Sequence, residues 1–235
     1  MRTTSIFSPQ SEDLVNPLAT RYVAPGKLPW IDVGTVDLSH LASRFASLRR
    51  AQIVGVHGSG KSTLLENLVP KLGSVVLRQG ASSQTKFESS NPADSYPNSS
   101  AICWFSVRRG AAVMDSLMQF ITTKKFCGTL VIDGFEQLNW WQRWQIKRWV
   151  GRCECKLLVT AHRNLGLPLL FQTSISEDLA RRVIRQAFLA ARGTADLPEP
   201  LERLPWEQLL KKHRGNLREC LMEVYDLIET LNREA

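Results

Sequence analysis

Short apolar runs along this chain alternate with stretches in which apolar residues recur every third or fourth position, the pattern of strands alternating with amphipathic helices. Residues 51–56, Ala-Gln-Ile-Val-Gly-Val, predict a short buried strand. From Ser62 onward, Leu64, Leu65, Leu68, Val69 and Leu72 keep helical spacing until Gly73, a residue suited to a helix end. Further strands are expected at 74–77, 101–107, 128–133 and 156–160, with helices at 111–123 and 138–150. The 128–133 run is almost wholly apolar until it closes on Asp133, as a strand covered on both faces requires. The expected fold is α/β, a mostly parallel sheet between helices.

The ends of the chain follow other patterns. Residues 1–38 carry Pro9, Pro17, Pro25 and Pro29 with little periodicity, and predict an extended arm. Leu41, Phe45 and Leu48 then fit a short helix over 39–50, with Ser39 as its cap. Residues 80–100 hold few large apolar side chains besides Phe87 and Tyr96, which predicts a flexible insertion within a core at 39–175. Beyond it, 177–191, 206–212 and 216–233 read as helix, giving a small all-helical domain at 176–235.

Apolar residues at 43% and charged residues at 22% are ordinary for a globular chain that folds. No apolar run approaches the roughly 20 residues needed to span a bilayer, and the N-terminus lacks a secretory signal, so the cytoplasm is the expected compartment. Five cysteines without framework spacing fit a reducing compartment, and Cys153-Glu154-Cys155 reads as a plain loop rather than a zinc site. The net charge of +8 favours contact with nucleic acid, anionic lipid or acidic protein, or makes only a solvated basic face.

Specific chemistry enters at Gly55-Val56-His57-Gly58-Ser59-Gly60-Lys61-Ser62-Thr63, a phosphate-binding loop between a strand and a helix. Its four fixed positions arise by chance in roughly one chain in a hundred of this length, before the strand-loop-helix context is counted. Glycines let successive amides face one anion, and the helix N-terminus adds a favourable dipole. Lys61 is expected to reach the β- and γ-phosphates of a triphosphate. Ser62 is expected to ligate Mg²⁺, with Thr63 and the amides of Ser59 and Gly60 holding phosphate. His57 reads as a filler, since residues before the lysine mainly supply backbone. Asp133 ends its apolar strand where a carboxylate would hold a Mg²⁺-bound water. Glu136 reads either as the group that orients or deprotonates the attacking water, or as a first-turn acid of the next helix.

These residues resemble the additional-strand NTPases, meaning the AAA+ ATPases and their NACHT and STAND relatives, over roughly residues 48–231. Val131-Ile132-Asp133-Gly134-Phe135-Glu136 is similar to the NACHT form of the acidic strand, with Asp-Gly-x-acid in place of adjacent Asp-Glu. The resemblance implies a P-loop NTPase core with a helical lid, and an ATPase or ATP-controlled switch converting ATP to ADP and phosphate with Mg²⁺. It makes Thr160 the polar residue that senses the γ-phosphate, with Arg163 a neighbouring candidate. Gly215-Asn216-Leu217-Arg218 is similar to the lid segment carrying a sensing arginine, here Arg218, whose other reading is a surface arginine at a helix start. Residues 16–23 resemble the arm that cups adenine, which carries over Tyr22 and Val23. The resemblance further implies assembly as a homo-oligomer or with a protein partner.

Guanine-reading Asn-Lys-x-Asp and the transporter signature are absent from the sequence. Two other functions stay open, an ATP-retaining adaptor for DNA or protein and a small-molecule kinase. Residues 139–150 concentrate four of the seven tryptophans with Arg143, Lys147 and Arg148. That helix reads either as core with snorkelling basic residues, or as a surface for nucleic acid or protein.

Overall fold

In the computed structural model, residues 15–31, 37–73, 75–79, 101–107, 111–123 and 126–234 are described. The flexible insertion expected at residues 80–100 lies outside them. In chain order the elements are α1 (Thr20–Val23), α2 (Leu38–Ala46), β1 (Arg50–Val54), α3 (Lys61–Leu68), β2 (Val75–Gln79) and β3 (Ala101–Ser106). Then come α4 (Ala111–Thr123), β4 (Thr129–Asp133), α5 (Trp140–Arg152), β5 (Lys156–Ala161), β6 (Leu169–Gln172), α6 (Glu177–Arg192), α7 (Glu199–Glu202), α8 (Trp206–Lys212) and α9 (Leu217–Glu234). Two compact units result: Asp32–Ser174 carries the sheet, and the other, described at residues 15–31 and 175–234, is helical.

All six strands pair in parallel in the order β2-β3-β4-β5-β1-β6. Strand β5 therefore lies between β1, which leads into the phosphate loop, and β4, which ends in Asp133. Alternation along the strands shows why their sequences are apolar throughout. Cys103, Phe105, Leu130, Ile132, Leu157 and Val159 pack with Leu117 and Phe120 of α4 and with Ile146 and Val150 of α5. Their neighbours Ile102, Trp104, Val131 and Leu158 point the other way and are buried as well. Leu64, Leu65 and Leu68 of α3 are each fully buried, a contribution of about 1.5–3 kcal/mol per side chain. That burial fixes the helix whose first turn closes the phosphate loop.

Three local readings change. Helix α2 starts at Leu38 with Asp37 in the cap position, so Ser39 sits inside the first turn and does not cap. Residues 15–31, expected as an extended arm, contain the helical turn α1 and join the helical unit, because Leu18 and Leu28 bury in its core with Ile184, Phe188, Trp206 and Val224. Asn16 holds this segment through hydrogen bonds to the Tyr225 carbonyl, at 3.0 Å, and to Glu229, at 2.8 Å. Strand β6 has no counterpart in the expected pattern: Gly166 and Pro168 interrupt its run, and of its four residues only Leu170 is fully buried.

A buried amide holds β6 in place. Gln52, in the middle of β1, is fully buried, and its Nε2 donates to Asn164 Oδ1 at 2.6 Å and to the Leu167 carbonyl at 2.5 Å. Its Oε1 accepts from the Leu165 N–H at 3.0 Å. One side chain in the middle of β1 thus holds the loop that passes from β5 to β6. Replacing it with leucine leaves the buried Leu167 carbonyl without this donor, at a cost of about 1–3 kcal/mol, while the exposed Asn164 and half-exposed Leu165 groups can turn to water. Gln52→Leu is expected to lower the urea midpoint of the sheet unit, followed by hydrogen exchange in β1 and β6. An unchanged midpoint would show that the amide is dispensable.

Candidate functional site

The phosphate loop, Asp133, Thr160 and the end of β6 meet at one edge of the sheet because parallel strands end together. The register sets Val54 beside Ala161 and Gln172, and Ser106 beside Asp133. Ligands of open parallel sheets bind outside these carboxyl ends.

The loop itself is shaped by backbone geometry. Gly58 and Gly60 take positive φ, and Gly60 is the cap residue of α3. Gly55 approaches its neighbours closely: a Cβ there would lie 1.9 Å from Thr173 Oγ1 and 2.6 Å from Ser59 Oγ. The Thr173 hydroxyl is 2.6 Å from that of Ser59, and the Thr173 N–H donates to the Val54 carbonyl at 2.8 Å. Lys61, only 8% exposed, turns its ammonium onto the loop and donates to the carbonyls of Gly55, at 2.8 Å, and Val56, at 2.7 Å. Its charge is thus held within the curl of backbone, where an anionic ligand would exchange for those carbonyls.

Asp133 joins three elements. Ser62, in the first turn of α3, donates its hydroxyl to Asp133 Oδ2 at 2.8 Å. Thr160 of β5 donates to Asp133 Oδ1 at 2.6 Å and accepts from the Gly134 N–H at 2.8 Å. Gly134 permits this bend, since its φ is +87° and a Cβ would stand 2.6 Å from the Val107 carbonyl. The chemistry of the donor set fits Mg²⁺, which prefers hard oxygen ligands and keeps waters and substrate phosphates instead of a full protein cage. One carboxylate and one hydroxyl suffice for such a partial shell. Among the described residues, no cluster of three His, Cys, Asp or Glu could hold a metal by itself. Cys155, in the pair that tempts a zinc reading, is buried, and burial pushes its thiol up to about 12.

Glu136 lies in a 3-10 turn, Phe135–Gln137, ahead of α5. Helix α5 has its own start, a capping box in which Asn139 accepts from the Gln142 N–H and Gln142 accepts from that of Asn139. Glu136 is therefore not a first-turn acid of that helix. Phe135 and Leu138 bury on either side, and Glu136 Oε2 is buried without a hydrogen-bond partner. Its Oε1 is 3.3 Å from Nε2 of His162, which is 3.4 Å from Nδ1 of His57. The two imidazoles meet edge to face, with centroids 5.2 Å apart.

The sheet unit thus brings together Gly55, Gly58, Ser59, Gly60, Lys61, Ser62, Thr63, Asp133, Glu136 and Thr160. Arg163 is exposed in the loop after β5. Tyr22, Val23 and Arg218 belong to the helical unit, where Val23 packs on the core and Arg218 is exposed in the first turn of α9. Sequence reasoning missed His162 and Thr173. Both follow the last residue of a strand at the carboxyl edge, and that position was their available signal. His57, read as a filler, is one end of the Glu136–His162–His57 row.

His162 provides a check on this geometry. Burial holds its pKa below the ordinary imidazole value; Glu136 opposes that shift, Lys61 and His57 add to it, and Asp133 opposes it. In a histidine-selective NMR titration, His162 is expected to protonate below about pH 6.5. Glu136→Gln is expected to move its midpoint lower still, by removing the nearest negative charge. A midpoint at the ordinary value, unmoved by the substitution, would contradict the contact.

The sequence matches no family model and no curated protein. Among solved structures, the chain is similar to a RuvB variant from Thermotoga maritima, with 14% identity, 79% of this chain and 56% of that chain covered, and a TM-score of 0.44. It is also similar to PCH-2 from C. elegans, with 12% identity, 84% of this chain and 66% of that chain covered, and a TM-score of 0.41. The chain spans less than two thirds of the length of either.

Proposed function

We propose that this chain binds ATP with Mg²⁺ and is an ATPase, or a switch governed by ATP, of the AAA+/STAND type. The observation that carries the reading is the 2.8 Å hydrogen bond between Ser62 of the phosphate loop and Asp133 at the end of β4. A loop with the right spacing and a carboxylate from a separate strand converge on one point. A glycine-rich turn that served packing alone would have no need of the second. The position of β5 between β1 and β4 supports the additional-strand class over other arrangements.

In this reading the amides of Ser59 and Gly60, with Thr63, hold the phosphates, and Lys61 meets the β- and γ-phosphate oxygens. Ser62 and Asp133 would hold Mg²⁺, which would supply neutralisation of the phosphates' negative charge. Thr160 keeps the Asp133 carboxylate in position through its hydroxyl. Glu136 orients a water and takes its proton as the water oxygen attacks the γ-phosphorus. The bond to the β–γ bridging oxygen breaks, leaving ADP and inorganic phosphate. His162, at 3.3 Å, orients Glu136. By resemblance the proposal extends to Tyr22 and Val23 as adenine contacts, to Arg218 as a phosphate-sensing residue, and to assembly with further copies or a protein partner.

Lys61→Ala is expected to weaken ATP binding about tenfold or more, much more than it lowers thermal stability, because the ammonium serves phosphate more than the core. Calorimetry of the folded variant decides it, and unchanged affinity would remove the assigned site.

The two carboxylates separate by function. Asp133→Asn is expected to impair the Mg²⁺-dependent part of binding. Glu136→Gln should bind ATP almost normally and lose turnover by about a hundredfold or more, since the amide keeps the shape but takes no proton. Phosphate release from Glu136→Gln at the wild-type rate would place the base elsewhere. Tight binding with no turnover in the unsubstituted protein would reduce the reading to a switch.

A further inference from the structure

Helix α5 divides its tryptophans. Ile146 and Val150 are fully buried, and half-buried Trp149 packs with them into the sheet's core, edge to face with Phe120 at 6.1 Å. Trp140, Trp141 and Trp144 stand 70%, 49% and 42% exposed. Large apolar side chains that crowd together at the surface call for an explanation that scattered ones do not.

These indoles are already ordered. Trp141 and Trp144, one turn apart, stack at 4.8 Å with 18° between their planes, and Trp140 meets Trp141 edge to face at 5.6 Å. The Arg148 guanidinium lies 5.2 Å from the Trp144 ring centroid. The stack offers flat π-surface whose rotamers are held by its own contacts, so little side-chain freedom is lost on binding.

The charged side chains of α5 are all of one sign. Residues 140–152 contain Arg143, Lys147, Arg148 and Arg152 and no carboxylate. Among the described residues, no carboxylate forms an ion pair with Arg50, Arg143, Lys147 or Arg148. Lys147 donates to the Leu165 carbonyl at 2.7 Å, and burial, followed by the charges of Arg143 and Arg50, lowers its pKa. The field over this face is that of cations crowded on one another, which an anionic ligand relieves.

We propose that the outer face of α5 binds a single strand of nucleic acid, its bases stacking on Trp140, Trp141 and Trp144 and its phosphates meeting Arg143 and Arg148. An unpaired strand presents a π-face and an anion at every nucleotide, which matches both features together. A duplex hides its bases from stacking. An apolar protein groove would match the indoles while dehydrating unpaired cations, which is costly. An interfacial membrane helix needs a continuous apolar face, and the aliphatic residues of α5 are committed to the core. The proposal is independent of ATP binding, since it uses none of the residues assigned to phosphate, metal or water.

The test uses the full chain and a fluorescein-labelled oligothymidylate of about 20 nucleotides, a length that covers one such site. Anisotropy and quenching of tryptophan fluorescence should report saturable binding. Trp141→Ala with Trp144→Ala should weaken it about tenfold or more and keep the salt dependence, while Trp141→Phe alone should retain most of the affinity. Arg143→Gln with Arg148→Gln should flatten the slope of affinity against salt, by about 0.7 for each phosphate that is no longer neutralised. Oligouridylate should bind comparably, because nothing at this face reads the sugar. Circular dichroism and ATP binding should be unchanged in each variant, which separates a lost surface from a lost fold. The proposal is overturned if the oligonucleotides fail to bind at low salt, or if duplex binds equally well without regard to the indoles. It is also overturned if the indole substitutions abolish self-association or capture by anionic vesicles and leave oligonucleotide binding intact.

Discussion

The Asp133 carboxylate, gripped by two hydroxyls from different elements, is the constraint around which the sheet unit is arranged. Ser62 reaches it from the helix that closes the phosphate loop, and Thr160 reaches it from the neighbouring strand. Hydrogen bonds to an ionised acceptor are roughly twice as strong as neutral ones, so this junction holds its geometry where single neutral contacts would yield. Each partner arrives for its own reason: Ser62 because three leucines bury α3, Asp133 because β4 is apolar up to its last residue, and Thr160 because β5 lies between β4 and β1.

From that junction the site extends along the carboxyl edge of the sheet, from β4 toward β6. At its far end, Thr173 after β6 braces the phosphate loop through Ser59, and a glycine at position 55 is what lets them meet. Behind Thr173 stands Gln52, a buried amide whose role is to hold the segment between β5 and β6. Along the same edge, the turn after Asp133 delivers Glu136 to His162, just past β5, and so to His57 in the loop after β1. Oε2 of Glu136, buried in that turn, has no hydrogen-bond partner.

What the chain discloses in advance follows the reach of each interaction. The α/β class, the strand-loop-helix around residues 55–63 and the place of Asp133 at the end of β4 are legible because they rest on local spacing and on uninterrupted apolar strands. Helices α4 and α8 coincide with their expected limits for the same reason. Strand β6 was not legible, since it is short, half-exposed and broken by Gly166 and Pro168, and its place depends on Gln52 more than a hundred residues earlier. Thr173 and His162 escaped because a polar residue after a strand gains meaning only when the strand order shows what it faces. The segment at residues 15–31 misled for a related reason: its prolines speak for extension, while Leu18, Leu28 and Asn16 find partners in the chain's last helix and α6. The tryptophans of α5 divide, one half-buried against the core and three exposed.

The central claim is that the Ser62–Asp133 junction and the loop beside it form a magnesium–triphosphate site. Calorimetric titration of the intact protein with ATP, in the presence and absence of Mg²⁺, tests it most directly. The account predicts saturable binding at one site per chain that strengthens markedly when Mg²⁺ is present. Absence of ATP binding by the folded protein, or binding indifferent to Mg²⁺, would contradict it.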